Sequence, residues 1–191
     1  MTEIDVAIVV GSARRESINR RLAYALAKLA EGKLATRFVQ LDDLPMFNQD
    51  DENPLSTNVQ RFKHEIERSE AVLFVTPEHN RSIPALLKNA IDWGARPHGR
   101  SSWVGMPVAI TGTSPGSLGT AIAQQHLRQI LGDLGALVMG GEAYITYRPG
   151  LIDEAHTISD ESTRRFLQAY VDRFVSLATR LSNKGSWAAV A

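Results

Sequence analysis

The 191-residue chain contains no cysteine, which excludes disulfides, iron–sulfur clusters, thiolate nucleophiles and cysteine-ligated zinc together. It also lacks a charge surplus: 21 Lys plus Arg face 21 Asp plus Glu, so the formal net charge is zero. That balance argues against general binding to nucleic acid or to anionic membranes, while leaving room for a local basic cluster that holds a small anion. Aromatic residues make up only 7% of the chain, and no apolar run approaches the roughly 18 residues that a membrane span requires. Met1-Thr2-Glu3-Ile4-Asp5 carries acids where a secretory leader carries bases, so a cytoplasmic location is expected. What is present, 43% hydrophobic and 22% charged residues, fits one compact domain over residues 1–183, followed by a tail at 184–191 that includes Trp187.

Apolar runs alternate with helical patterns along the chain. Ile4 to Val10, rich in β-branched residues and stopped by Gly11, reads as a strand buried on both faces. Ser17 is placed to cap a helix whose stripe is Leu22, Ala25, Leu26 and Leu29, ending near Gly32. Leu34 to Leu41 reads as a second strand, and Val59, Phe62 and Ile66 mark one face of a second helix. Ala71 to Thr76 predicts a third strand, stopped by Pro77; Pro84 suits the first turn of a helix carrying Leu86, Leu87, Ala90 and Ile91. Met106 to Thr111 predicts a fourth strand and Ser117 to Leu134 a helix. A last strand is expected over Ala136 to Met139, with an edge piece at Ala143 to Thr146. A C-terminal helix is expected to open at Ser159 and to turn Phe166, Tyr170, Phe174, Leu177 and Leu181 inward.

Strands alternating with helices imply right-handed βαβ crossovers and a parallel sheet covered on both faces. Five such strands fit an α/β three-layer sandwich with the flavodoxin-like strand order 2-1-3-4-5. Ligands in that architecture bind beyond the carboxyl ends of the strands, where the strand order reverses. Three loops therefore matter.

The first, Gly11 to Asn19, gathers hydroxyls, an amide, two guanidiniums and the N–H groups of a helix start, the donor set an anionic phosphate needs. It matches neither the P-loop nor G-x-G-x-x-G, and a polar capped turn with solvated arginines is the plainer alternative. The second, Pro77 to Pro84, has its backbone fixed by two prolines and suits a clamp on a planar heteroaromatic ring; the alternative is a rigid turn whose Glu78 and Asn80 cap the next helix. His79 is a candidate base, although a single loop histidine is more often a surface or packing residue. The third, Thr111 to Gly119, holds a rival signal, because Gly112-Thr113-Ser114-Pro115-Gly116 satisfies the G-x-S-x-G nucleophile pattern, with Asp153 and His156 following in hydrolase order. Pro115, however, lacks the N–H that such an oxyanion hole uses, a loss of roughly 3 kcal/mol of transition-state stabilisation. A serine hydrolase using Ser114 is thus the second reading.

Gly11-Ser12-x-Arg14-x-x-Ser17-x-Asn19, Pro77-Glu78-His79-Asn80 with Ser82 and Pro84, and Lys88-Asn89-Ala90-Ile91-Asp92-Trp93 together resemble the NAD(P)H-dependent FMN reductase family, within it most like bacterial chromate, quinone and ferric-chelate reductases. His126-Leu127-Arg128-Gln129-Ile130-Leu131 extends the match over nearly the whole chain. The resemblance implies that FMN phosphate lies against Ser12, Arg14, Ser17, Ile18 and Asn19. It implies further that Pro77, Glu78, His79, Asn80 and Ser82 border the isoalloxazine, and that Thr113, Ser114 and Gly116 line its other edge. His79 departs from the family's P-E-Y-N, where tyrosine is usual.

A chain without cysteine or an evident metal cluster has no redox group of its own, so the resemblance implies bound FMN fed by NADH or NADPH in a ping-pong reaction. The implied acceptors are quinones, ferric chelates, chromate or free flavins. Between Trp93 and Trp103, Arg96, His98 and Arg100 suggest either a solvated basic loop or a cationic rim beside the flavin; Arg96, Arg100 and His79 are the substrate-side candidates. Similar reductases form homodimers or homotetramers. His64, Glu65 and Glu67 share a charged helix face that is better read as solvated than as a metal site. A non-catalytic flavin-binding protein or electron carrier is the third reading, against which zero net charge counts, since such carriers are usually acidic.

Overall fold

The computed structural model describes residues 3–182; the expected tail with Trp187 lies outside the described residues. Eleven helices and strands alternate along it: β1 (Ile4–Val10), α1 (Ile18–Leu29), β2 (Leu34–Phe38), α2 (Thr57–Glu67), β3 (Ala71–Val75), α3 (Ala85–Gly94), β4 (Pro107–Ser114), α4 (Ala121–Asp133), β5 (Leu137–Val138), β6 (Tyr144–Thr146) and α5 (Glu161–Ser182). The sheet order is β2-β1-β3-β4-β5, all parallel, with β6 also paired to β4. This is the expected flavodoxin-like order.

Period-2 alternation divides the core. Val6, Ile8, Leu73 and Val75 face α1 and α5, while Ala7, Val9, Val72 and Phe74 face α2, α3 and α4. The central strands β1 and β3 are buried almost throughout, as their unbroken apolar runs require.

Several expected boundaries shift, each for a visible reason. Strand β2 stops at Phe38: Val39 still donates its N–H to Ile8 O at 3.0 Å, and beyond it Leu41 and Leu44 turn in to pack into the core beside α2 and α3. Strand β4 runs on to Ser114, three residues past the expected end, because β6 pairs with Gly112, Thr113 and Ser114. The expected strand over Ala136 to Met139 shrinks to Leu137–Val138, and the edge piece is a full partner of β4. Helix α4 begins at Ala121, since the chain before it makes turns and Gly119 takes φ +56 where a Cβ would crowd the backbone of Ile145. Helix α5 is capped by Asp160 instead of Ser159: the Asp160 carboxylate accepts from the Thr163 N–H at 2.7 Å and from the Ser162 hydroxyl at 2.6 Å. Its buried stripe is Leu167, Tyr170, Val171, Phe174 and Ala178, so Phe166, expected inside, is 44% exposed.

Candidate functional site at the carboxyl ends of the strands

All βα loops of a parallel sheet emerge at one end, and the three loops singled out above lie together there. The chain ties them to one another. Gly11 N–H donates to Val75 O at 3.0 Å and Thr76 N–H to Thr111 O at 2.9 Å, joining the ends of β1, β3 and β4. Between the first and third loops, Asn19 Nδ2 donates to Thr113 O and Thr113 N–H donates to Asn19 Oδ1, both at 2.9 Å. Asn19 is 2% exposed, so its amide is a fixed strut.

Within the first loop, the Ser17 hydroxyl caps α1 by accepting from the Arg20 N–H at 3.2 Å, and the helical ladder opens with Arg21 N–H to Ser17 O. The earlier N–H groups, on Ile18 and Asn19, have no helical acceptor and carry the positive end of the dipole. Ser12 is half-buried, while Arg14 and Arg15 are exposed beside them. This donor set fits a phosphate monoester.

The second loop is a two-residue hairpin: His79 and Ser82 exchange N–H···O bonds at 2.9 Å each way, with Asn80 at φ 50 and Arg81 at φ 63. Its anchor is Glu78, whose side chain is 9% exposed. Glu78 Oε2 accepts from the N–H groups of Ile122 and Ala123 at 3.0 and 3.1 Å, so it caps α4 and not the adjacent α3. A second tie comes from His126 Nδ1, 3.1 Å from Ser82 Oγ. Neither partnership was visible in the sequence, because 44 residues separate Glu78 from Ile122 and Ser82 from His126.

The third loop corrects the hydrolase reading. Ser114 Oγ donates to Gly119 O and accepts from Gly116 N–H at 3.2 Å, closing its own turn. Asp153 accepts from the Thr157 N–H at 2.7 Å, and the His156 ring stacks on Tyr24 at 4.6 Å. The three residues are spent on separate partners, and no triad forms. Thr113 is 1% exposed with its hydroxyl donating to Ile145 O at 2.8 Å, so this side chain shapes the loop from behind.

The basic loop lies apart from these three loops within one chain. Arg96 and Arg100 follow α3, which runs back toward the amino ends of the strands, so within one chain they stand at the opposite end from the three loops. Arg96 pairs with Glu52 at 3.5 Å and lies over the Phe47 ring. The loop is held by Lys63, 8% exposed, whose Nζ donates to Gly94 O, Arg100 O and Ser102 Oγ; burial pushes this ammonium below its usual range.

Comparison with known proteins agrees with this geometry. The model of the NADPH-dependent FMN reductase family matches residues 4–148. A quinone reductase of Pseudomonas putida is 49% identical over 174 residues, covering 90% of this chain and 92% of the relative. A 2-hydroxy-1,4-benzoquinone reductase of Burkholderia sp. is 44% identical over 174 residues, covering 91% and 95%. The solved structure of FerB, a flavoenzyme NAD(P)H:(acceptor) oxidoreductase from Paracoccus denitrificans, superposes with a TM-score of 0.90 at 44% identity, covering 93% of this chain and 98% of that one. A family match over residues 4–148 and relatives of 44–49% identity along nine-tenths of the chain, on the sheet order and loop ties described above, show that the chain belongs to the NADPH-dependent FMN reductase family and is an NAD(P)H-dependent flavin oxidoreductase.

Proposed function

We propose that the protein reduces quinones with electrons from NAD(P)H, by a ping-pong reaction on one FMN per chain. The observation that carries this reading is the interlock of the three loops through Asn19, Thr113 and Glu78, which builds a rigid open-topped site. Ser12, Arg14 and Ser17 with the amides of Ile18 and Asn19 would hold the phosphate. Pro77, Glu78, His79, Asn80 and Ser82 would present backbone to one edge of the ring system, with Thr113, Ser114 and Gly116 along the other. FMN held by these residues would supply the redox chemistry, as a two-electron carrier between the nicotinamide and the acceptor. The chain's own work is to anchor, orient and leave one face open for donor and acceptor in turn.

The quinone reductases among the relatives support the choice of acceptor, and the NAD(P)H:(acceptor) oxidoreductase among the solved structures is consistent with a broader range, in which we include ferric chelates, chromate and free flavins. Assembly as a homodimer or homotetramer in the cytoplasm completes the proposal, and exposed Leu118 on the third loop offers an apolar contact for a second copy. The test is spectroscopic. Purified protein should carry flavin absorbance that NAD(P)H bleaches without oxygen and 1,4-benzoquinone restores; protein that neither contains nor takes up FMN would refute the proposal.

A further inference from the structure

Beside the phosphate cradle, on the side away from the third loop, lies a recess of about 300 Å³ between the ends of β1 and β2. Its lining includes Ser12 of the first loop, Phe38 and Leu41 of the β2 end, and Leu86 of α3. Arg20 and Asp42 border it as well. These two carry opposite charges on one recess, yet among the described residues they do not pair with each other or with any other side chain. The charged residues next to them in the chain do pair, Arg21 with Glu16 at 3.0 Å and Asp43 with Arg61 at 2.9 Å. Both charges are therefore open to a ligand, on a recess whose mixed lining also includes Ser12 and Gln40 beside Val10, Phe38, Leu41 and Leu86.

We infer that this recess receives the adenosine end of the NAD(P)H donor, with Arg20 taking the 2′-phosphate and Asp42 accepting from a ribose hydroxyl. Its volume is at the lower limit for ligand pockets and suits a nucleoside-sized fragment, not a whole dinucleotide. Phe38, Leu41 and Leu86 give the base apolar contacts within a lining that is otherwise polar enough for its ribose and phosphate. A carboxylate just past the second strand of a nucleotide-binding sheet is where ribose hydroxyls are read in dinucleotide folds, and an arginine nearby is what accommodates a 2′-phosphate. Arg20 is the third residue of α1, within its first turn, where a guanidinium can fork onto phosphate oxygens. Two strand spacings, about 10 Å, separate the β2 end from the β3 end where the nicotinamide must meet the flavin, a span an extended dinucleotide bridges. The two residues pull in opposite directions: Arg20 favours NADPH, and Asp42, repelling a 2′-phosphate, favours NADH. Their balance sets donor preference.

This inference rests on the FMN reductase reading, and its test separates the two. The flavin-loaded parent, Arg20→Ala, Arg20→Lys and Asp42→Asn are compared for FMN dissociation constant by flavin fluorescence and for kcat/KM with NADPH and NADH at a fixed quinone concentration. Arg20→Ala should lower the NADPH to NADH ratio about tenfold, as loss of one charge-assisted phosphate contact implies, and Arg20→Lys should recover part of it. Asp42→Asn should raise the same ratio. The FMN dissociation constant should not move. A ratio unchanged in both Arg20→Ala and Asp42→Asn overturns the assignment, as does a weakening of FMN in either variant, which would make the recess part of the flavin site. A parent that neither binds FMN nor oxidises NAD(P)H would instead strike the functional reading itself.

Discussion

Asn19 does for Thr113 what a neighbouring strand would do, accepting its N–H and donating to its carbonyl at 2.9 Å each. Strand β3 ends at Val75, and Pro77, which has no N–H, carries the chain away. One side-chain amide from α1 therefore completes the ladder on that side of β4. Asn19→Ala would strand two buried backbone groups, each costing about 1–3 kcal/mol, so urea unfolding should report a loss of about 2–6 kcal/mol. Because the strut supports the whole site, FMN and riboflavin should weaken by the same factor. Arg14→Ala, in contrast, should weaken FMN alone in parallel fluorescence titrations.

Glu78 links the hairpin to α4, and its removal should be felt in both. Glu78→Ala should destabilise the fold by about 1–2 kcal/mol, the worth of a partly buried cap at a helix N-terminus, and should speed FMN release in stopped-flow dilution. Glu78→Gln keeps an acceptor oxygen and should fall between the two. An unaltered release rate in Glu78→Ala would show that the hairpin holds its shape without the anchor.

Tyr170, on α5, donates its hydroxyl to Ile110 O at 2.7 Å. Ile110 faces the interval between β5, which pairs with Pro107 and Val108, and β6, which pairs with Gly112 to Ser114. Burial pushes this phenol well above its usual range, so it remains a donor at every working pH. Tyr170→Phe should cost about 1–3 kcal/mol in chemical denaturation, by leaving the Ile110 carbonyl unsatisfied, while leaving the FMN dissociation constant unchanged.

Hydrogen bonds from Ser162 and then Thr163 hold the Asp160 carboxyl down at about 2. Since the folded value lies below the unfolded one, near 3.9, the stabilisation is complete above about pH 4 and is lost as pH falls toward 2. The difference in Tm between parent and Asp160→Ala should therefore be constant from pH 7 to about pH 5 and shrink steadily below pH 4. A difference that grows on acidification would contradict the cap.

The strand order and the three loops were legible in the sequence because they rest on local signals: the unbroken apolar runs of β1 and β3, Ser17 before the stripe of α1, and the prolines that bound the second loop. Capping pairs across 44 residues, such as Glu78 with Ile122, leave no local trace, since a glutamate after a strand looks the same whether or not a distant helix awaits it. The G-x-S-x-G match misled for a related reason: spacing records order along the chain, and Ser114 is committed to Gly119 by a turn that spacing does not show. The cluster of Arg96, His98 and Arg100 between Trp93 and Trp103 is plain in the sequence, but its place is not: a helix of ten residues carries it toward the far end of the sheet within one chain.

The interval between β5 and β6 bears on how these molecules behave when crowded together. An exposed strand edge invites extension by another chain, and long flat edges are where sheets polymerise. Here that side of the sheet ends in fragments of two and three residues, and the Ile110 carbonyl between them is already taken by Tyr170. An incoming strand finds no continuous row of partners to extend, so this margin of the sheet is protected against edge-to-edge aggregation at high concentration.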